Sequence, residues 1–282
     1  MTQTLWTAFE TEDVPAAEEE RVPWLTAGEN VHLSGLKVPK RRKDWLLGRF
    51  TAKQLVSDAA PVVFGRALSP ETFEIAAESF GAPFVRHVSG ERLPLSITIS
   101  HSHSAAFCAL LADRASEIGG DLELLEPRSE LFVRDFFTPA EIESWVESPL
   151  SERSLFANTV WSAKESVLKA LGLGLRVDTR RIEVRLYEEP VSGPLRPEGP
   201  GWRRFDARCE ADVPGGERAF SGCWTVKGSS WSRWPAPDRQ PSPSGSPRAG
   251  EKRERREGSG ERRRSLAWLL RGVEAVGSTT EP

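Results

Sequence analysis

The sequence predicts a chain of the α+β class, with helical and strand-like segments in separate runs. Three observations predict it. Residues 39–55 carry apolar side chains at helical spacing. Residues 96–100 alternate polar with apolar, and a second apolar run follows from Ala106 to Leu111. A long amphipathic stretch at 156–172 is followed by strand-like runs reaching Val226. At 282 residues the chain has room for one large domain or two ordinary ones.

The opening segment, MTQTLWTAFETEDVPAAEEE, reads as an acidic leader with no apolar h-region, so no signal peptide is expected. In LKVPKRRKDWLLGRFTAKQLV, Pro39 sits where a helix starts, and Trp45, Leu46, Phe50 and Leu55 form its apolar face. Lys40, Arg41, Arg42, Lys43, Arg49 and Lys53 crowd its start and other sides; such a charge run is ordinarily a solvated face. LPLSITISHSHSAAFCALLAD gives two strands around a polar turn. EIGGDLELLEP gives a third, on which Asp121 and Glu123, at i and i+2, share one face.

LFVRDFFTPAEIESWVE predicts a helix broken near Pro139, and FANTVWSAKESVLKALG a longer one stopped by Gly172 and Gly174. On this longer helix, successive residues turn by about 100°. Val160, Trp161, Ala163, Val167, Leu168, Ala170 and Leu171 then share one arc, and Lys164 falls in its middle. An ammonium on a buried arc needs either a snorkelling stem or an anion waiting there. RIEVRLYEE and the stretch from Trp202 to Val226 return to strand character.

After Lys227 the composition shifts. Residues 229–250 are rich in Ser, Pro and Arg, and EKRERREGSGERRR mixes seven cations with four anions, too polar to build a core. LAWLLRGVEAV is read as a short docking helix within a tail, 229–282, otherwise expected to be disordered.

Composition narrows the function classes. A net charge of −3 gives no global field toward nucleic acid or a membrane surface, and the longest apolar run, AAFCALLA, is too short to span a bilayer. Cys108, Cys209 and Cys223 are widely spaced and odd in number, as in a reducing cytoplasm. No Walker loop or GxGxxG is present.

Taken singly, the candidate residues have ordinary readings. A DLE pair fits an exposed strand edge, His101 and His103 fit a polar turn better than a two-histidine metal site, and Glu165–Lys169 fits an i,i+4 pair. Together they suggest more. Asp121, Glu123 and Glu165 are three hard oxygen donors of the kind Mg²⁺ prefers, and Lys164 and Lys169 flank the third. Ser100 and His101 add neutral donors, and Arg41, Arg42 and Arg49 add an anion-binding patch. Carboxylates, a cation and several basic groups suit a polyphosphorylated ligand.

The order RRKDWLLGR, FGAPF, ISHS, GGDLE, FFTPAE, WSAKESVLKALGLGL over residues 35–227 resembles the 4′-phosphopantetheinyl transferases, specifically the long, pseudo-dimeric type acting on synthetase carrier domains. The resemblance implies two similar α+β halves, 1–117 and 118–228, with the active site in the cleft between them. It implies Asp121, Glu123 and Glu165 as Mg²⁺ ligands, Lys164 and Lys169 beside the coenzyme A pyrophosphate, Ser100 and His101 as a phosphate-binding pair, and Arg41 and Arg49 near the adenosine 3′-phosphate. Lys164 would then face inward because pyrophosphate and metal lie on that side of the helix.

The implied reaction is attack by a serine of an apo acyl- or peptidyl-carrier protein on the β-phosphate of coenzyme A, with Glu165 and Lys169 catalytic. A cytoplasmic monomer without nucleic-acid or membrane partners is expected. The family often has Gly-Lys-Pro where this chain reads Gly81, Ala82, Pro83, and Arg86, ahead of a cation from the first helix, is the expected substitute for that lysine. The alternatives are a non-catalytic coenzyme A or carrier-domain binding protein and an unrelated Mg²⁺-dependent phosphohydrolase.

Overall fold

The computed structural model describes residues 4–15, 21–191 and 201–227, and the backbone of 265–272. In chain order the elements are β1 (Thr4–Glu10), α1 (Ala27–Gly35), α2 (Pro39–Phe64), β2 (Phe73–Ala77), β3 (Pro83–His87), β4 (Ser96–Ser102), β5 (Ala105–Leu111), β6 (Ile118–Leu124), α3 (Glu130–Phe136), α4 (Pro139–Glu147), α5 (Arg153–Ala170), β7 (Ile182–Pro190), β8 (Arg203–Cys209), β9 (Arg218–Lys227) and β10 (Ser265–Gly272). The strands form three antiparallel sheets, ordered β1-β5-β4, β2-β3 and β6-β10-β9-β8-β7. The α+β expectation is met.

Local chemistry sets the main boundaries. Pro39 occupies the first turn of α2, where its missing N–H costs no hydrogen bond, and Gly65 ends the helix at φ 66°. α1 and α4 each begin with a capping box, Thr26 with Glu29 and Thr138 with Glu141. α2 packs its Ala52, Leu55, Val56 and Ala59 with Ile97, Cys108 and Leu110, while α5 packs Val160, Val167 and Leu168 with Val184, Phe205 and Trp224.

Two helix interiors carry a buried lysine, and both are built alike. Lys53 of α2 is 1% exposed and pairs with Glu29 at 2.8 Å; it also donates to the carbonyls of Pro70 and Phe73, and Glu29 accepts from Ile75 N. Lys164 of α5 is 0% exposed and pairs with Glu141 at 2.8 Å; it donates to the carbonyls of Thr179 and Ile182, and Glu141 accepts from Val184 N. In each case the glutamate caps its own helix and neutralises the lysine of the next.

The structure differs from the sequence reading at both ends. The acidic leader contains β1, whose Trp6, Ala8 and Phe9 are buried, with Trp6 stacked on Phe107 and edge-on to Trp202. Trp6 to Phe9 are buried consecutively, so no polar–apolar alternation marks the strand. Within the expected disordered tail, residues 265–272 form a strand, not a helix, in register with Leu124–Ile118 on one side and with Lys227–Phe220 on the other. β10 gives β6 and β9 a ladder partner that no nearer segment supplies. The rest of the expected tail, 229–264 and 273–282, lies outside the described residues. Among the described residues no helix is long and apolar enough to cross a membrane.

Candidate active site

β4 lies against β6, and α5 packs across β6. The close approach of helix and strand depends on Gly119: a Cβ there would stand 1.8 Å from the carbonyl oxygen of Ser166. At this junction Ser100 Oγ donates to Asp121 Oδ1 at 2.8 Å, and Lys169 Nζ donates to the same oxygen at 2.6 Å and to Ser100 Oγ at 2.9 Å. Ser162 Oγ donates to the other oxygen, Asp121 Oδ2. Burial alone would raise the Asp121 pKa, but Lys169 and these hydrogen bonds bring it below the usual carboxylate value.

Glu123, two residues on along the same face, accepts from Arg128 Nη2 at 3.3 Å. Arg128 is itself aimed by Asn158 (2.8 Å) and lies over the Phe132 ring. Burial, then the neighbouring Asp121 charge, push the Glu123 pKa up to about 7. Glu165 is half-buried, has no hydrogen-bond or ion-pair partner among the described residues, and is raised by burial and then by Asp121. Glu123 and Glu165 thus each feel the Asp121 charge. Among the described residues no three His, Cys, Asp or Glu side chains are arranged to hold a metal ion, and Lys169 and Arg128 pair with oxygens of Asp121 and Glu123. The all-oxygen donor set fits a hard divalent ion in its chemistry.

A groove leads away from this centre. Arg41, Trp45, Arg49, Ile99, His101 and Gly81 line one end of it. Arg49 stacks over Trp45, and its Nε is buried without a hydrogen-bond partner among the described residues, an N–H available to an anion. Ala82, Thr98 and Lys169 line the adjoining cleft of about 420 Å³, which shares Gly81, Pro83 and Ile99 with the first. The structure thus brings Arg41, Arg49 and His101 to one end, and Ser100, Asp121 and Lys169 to the centre, with Glu123 and Glu165 close by.

Two expectations are corrected. Lys164 does not reach the cleft: the anion waiting on its side of α5 is Glu141, and the ammonium is consumed by a buried pair and two carbonyls. Arg86 does not face Ala82: it is held by Glu74 and lines cavities beside Thr26 and Gly28 instead. His103 lies in the β4–β5 turn at φ 55°, in line with the polar-turn reading, with Nε2 3.5 Å from Glu126. Sequence reasoning missed Ser162, Arg128 and Asn158. Ser162 stands three residues before Glu165 on the helix, a spacing that could have found it.

Comparison with known proteins supplies the class. The 4′-phosphopantetheinyl transferase superfamily model matches residues 117–194. A 4′-phosphopantetheinyl transferase, HetI, from Nostoc is 28% identical over 198 residues, covering 67% of this chain and 77% of that protein. A holo-[acyl-carrier-protein] synthase from Lactococcus lactis is 33% identical over 87 residues, 30% of this chain and 73% of that one. A 4′-phosphopantetheinyl transferase from Bacillus subtilis is 27% identical over 136 residues, 48% of this chain and 56% of that one. The chain belongs to the 4′-phosphopantetheinyl transferase superfamily.

Proposed function

We infer that this chain transfers the 4′-phosphopantetheine arm of coenzyme A to a serine of an apo acyl- or peptidyl-carrier protein, releasing 3′,5′-ADP. One observation carries the reading beyond family membership: Lys169, which pairs with the buried Asp121 beside Ser100 and Ser162, lines a cleft that adjoins a second pocket holding Arg41, Arg49 and His101. A dianionic head and a pyrophosphate joined by an adenosine suit two adjoining pockets that both carry cations.

In the reaction the serine oxygen forms a bond to the β-phosphorus, and the bond from that phosphorus to the bridging oxygen breaks, leaving 3′,5′-ADP. Glu165, half-buried and unpartnered, is the carboxylate suited to take the serine proton. Lys169 faces the charge that develops on the transferring group. Asp121, Glu123 and Glu165 would hold Mg²⁺, which supplies Lewis-acid neutralisation of phosphate charge when bound. Arg41, Arg49 and His101 receive the adenosine 3′-phosphate end.

The reading includes two similar halves, 1–117 and 118–228, the second completed by β10. Its support is the repeated construction: a capping-box glutamate paired to a buried lysine in each half, and the strand pairings β1-β5-β4 and β6-β10-β9. The work is expected in a cytoplasmic setting, with a monomer as the working unit.

The test follows 3′,5′-ADP by chromatography in the presence of coenzyme A and Mg²⁺. Release that requires an apo carrier protein with its serine intact agrees with the transferase reading. Carrier-independent release points to a phosphohydrolase, and none at all points to a non-catalytic binding protein.

A further inference from the structure

We propose that Thr98 is a positioning residue, whose hydroxyl sets the registration of β4 against β6 and thereby the alignment of Ser100 with Asp121 and Lys169. The proposal rests on the transferase reading of this site. β6 is the outer strand of its sheet: β10 occupies one of its edges, and no backbone ladder joins the other edge to β4. The peptide groups on that free edge are buried against β4 and need partners.

At Gly120 a single side chain provides both. Thr98 Oγ1 accepts from Gly120 N at 3.0 Å and donates toward Gly120 O at 3.5 Å. Thr98 is 3% exposed, so water cannot replace it freely. Its neighbours on each strand belong to the site: Ser100 is two residues further along the same face of β4, and Asp121 follows Gly120 on β6. A bracket at Thr98–Gly120 fixes how far β4 can slide along β6. The 2.8 Å contact of Ser100 with Asp121, and the reach of Lys169 to both, depend on that slide.

The role predicts different behaviour for shape and for hydroxyl. Thr98→Val keeps the shape and loses the bracket. Thr98→Ser keeps the hydroxyl and loses a methyl. Carrier modification is measured per folded molecule, with folding followed by circular dichroism well below each melting midpoint. Thr98→Val is expected to lose about tenfold or more in kcat with the KM for the carrier within about twofold, and Thr98→Ser to stay within about threefold of the parent.

A purely structural residue would lower the melting midpoint without changing kcat per folded molecule; that result, or a Thr98→Ser variant as impaired as Thr98→Val, overturns the proposal. Hydrogen exchange of the unaltered protein gives a second arm that does not depend on Thr98→Val folding. The Gly120 amide is expected to exchange as slowly as amides within the β6–β10 ladder, and exchange at the rate of exposed amides overturns the proposal. Should the parent protein fail to modify any carrier, the functional reading falls, while slow or fast exchange at Gly120 still decides the bracket.

Discussion

Asp121 and Glu165 are both carboxylates of one centre, yet their surroundings give them different consequences when removed. Asp121 is 3% exposed and accepts from Lys169, Ser100 and Ser162. Asp121→Ala strands those donors and is expected to cost on the order of 2–3 kcal/mol of stability together with all activity. Glu165 has no partner to strand, so Glu165→Gln is expected to abolish activity while leaving the denaturation midpoint unchanged or slightly raised. Urea unfolding of both variants beside a turnover assay checks the contrast. Glu123 adds a pH dependence. Its folded pKa of about 7 lies above the ordinary 4.5, so the metal-free protein is most stable with respect to this group at low pH and loses that contribution as pH rises through about 7. A bound cation favours the ionised form. Activity is therefore expected to rise through neutral pH on its acid limb, and the limb to move to lower pH as Mg²⁺ is increased. A limb indifferent to Mg²⁺ in the pH–rate profile removes Glu123 from the cation site.

At the scale of elements, the packing of α5 on β6 is the most exacting contact in the second sheet. Gly119→Ala places a methyl where Ser166 O already stands, a backbone clash that no rotamer relieves. Loss of the folded state, or a melting midpoint lower by many degrees, is the expected result, with circular dichroism as the measurement. What the sequence revealed of these elements follows from physical signals of different range. The helix from Pro39, the α5 stripe, the SITIS alternation and the DLE strand announce themselves within a few residues, and each lies where it was expected. β1 was hidden because Trp6 to Phe9 are buried on both faces, which leaves no alternation, and acids follow it. β10 was hidden because its partners are distant in sequence and a polar, proline-rich stretch precedes it. Among the candidate site residues, the strand that carries Asp121 and Glu123 was legible from spacing, but the orientation of Lys164 was not. Its partner, Glu141, comes from another helix, and only tertiary packing decides between a buried anion and a ligand.

For the whole molecule, the two ends of the chain close the two sheets that flank the site. β1 pairs with β5, and β10 fills the gap between β6 and β9. Truncation after Arg264 removes that strand, so insoluble or unfolded protein is expected on expression. Replacing residues 230–262 by a short Gly/Ser linker keeps β10 and is expected to leave a folded protein, because Lys227 and Ser265 are paired neighbours. Equal behaviour of the two deletions in a solubility and melting assay contradicts the placement of β10. The central claim is that the Asp121–Lys169 junction transfers an intact phosphopantetheine arm onto a carrier serine. Intact-mass spectrometry of an apo carrier protein incubated with coenzyme A, Mg²⁺ and this protein tests it most directly. A carrier heavier by one phosphopantetheine group, mapped to the serine, is expected with the parent protein and none with Glu165→Gln; an unmodified carrier with the parent protein, or a modified one with Glu165→Gln at the parent's rate, overturns the transfer at this site.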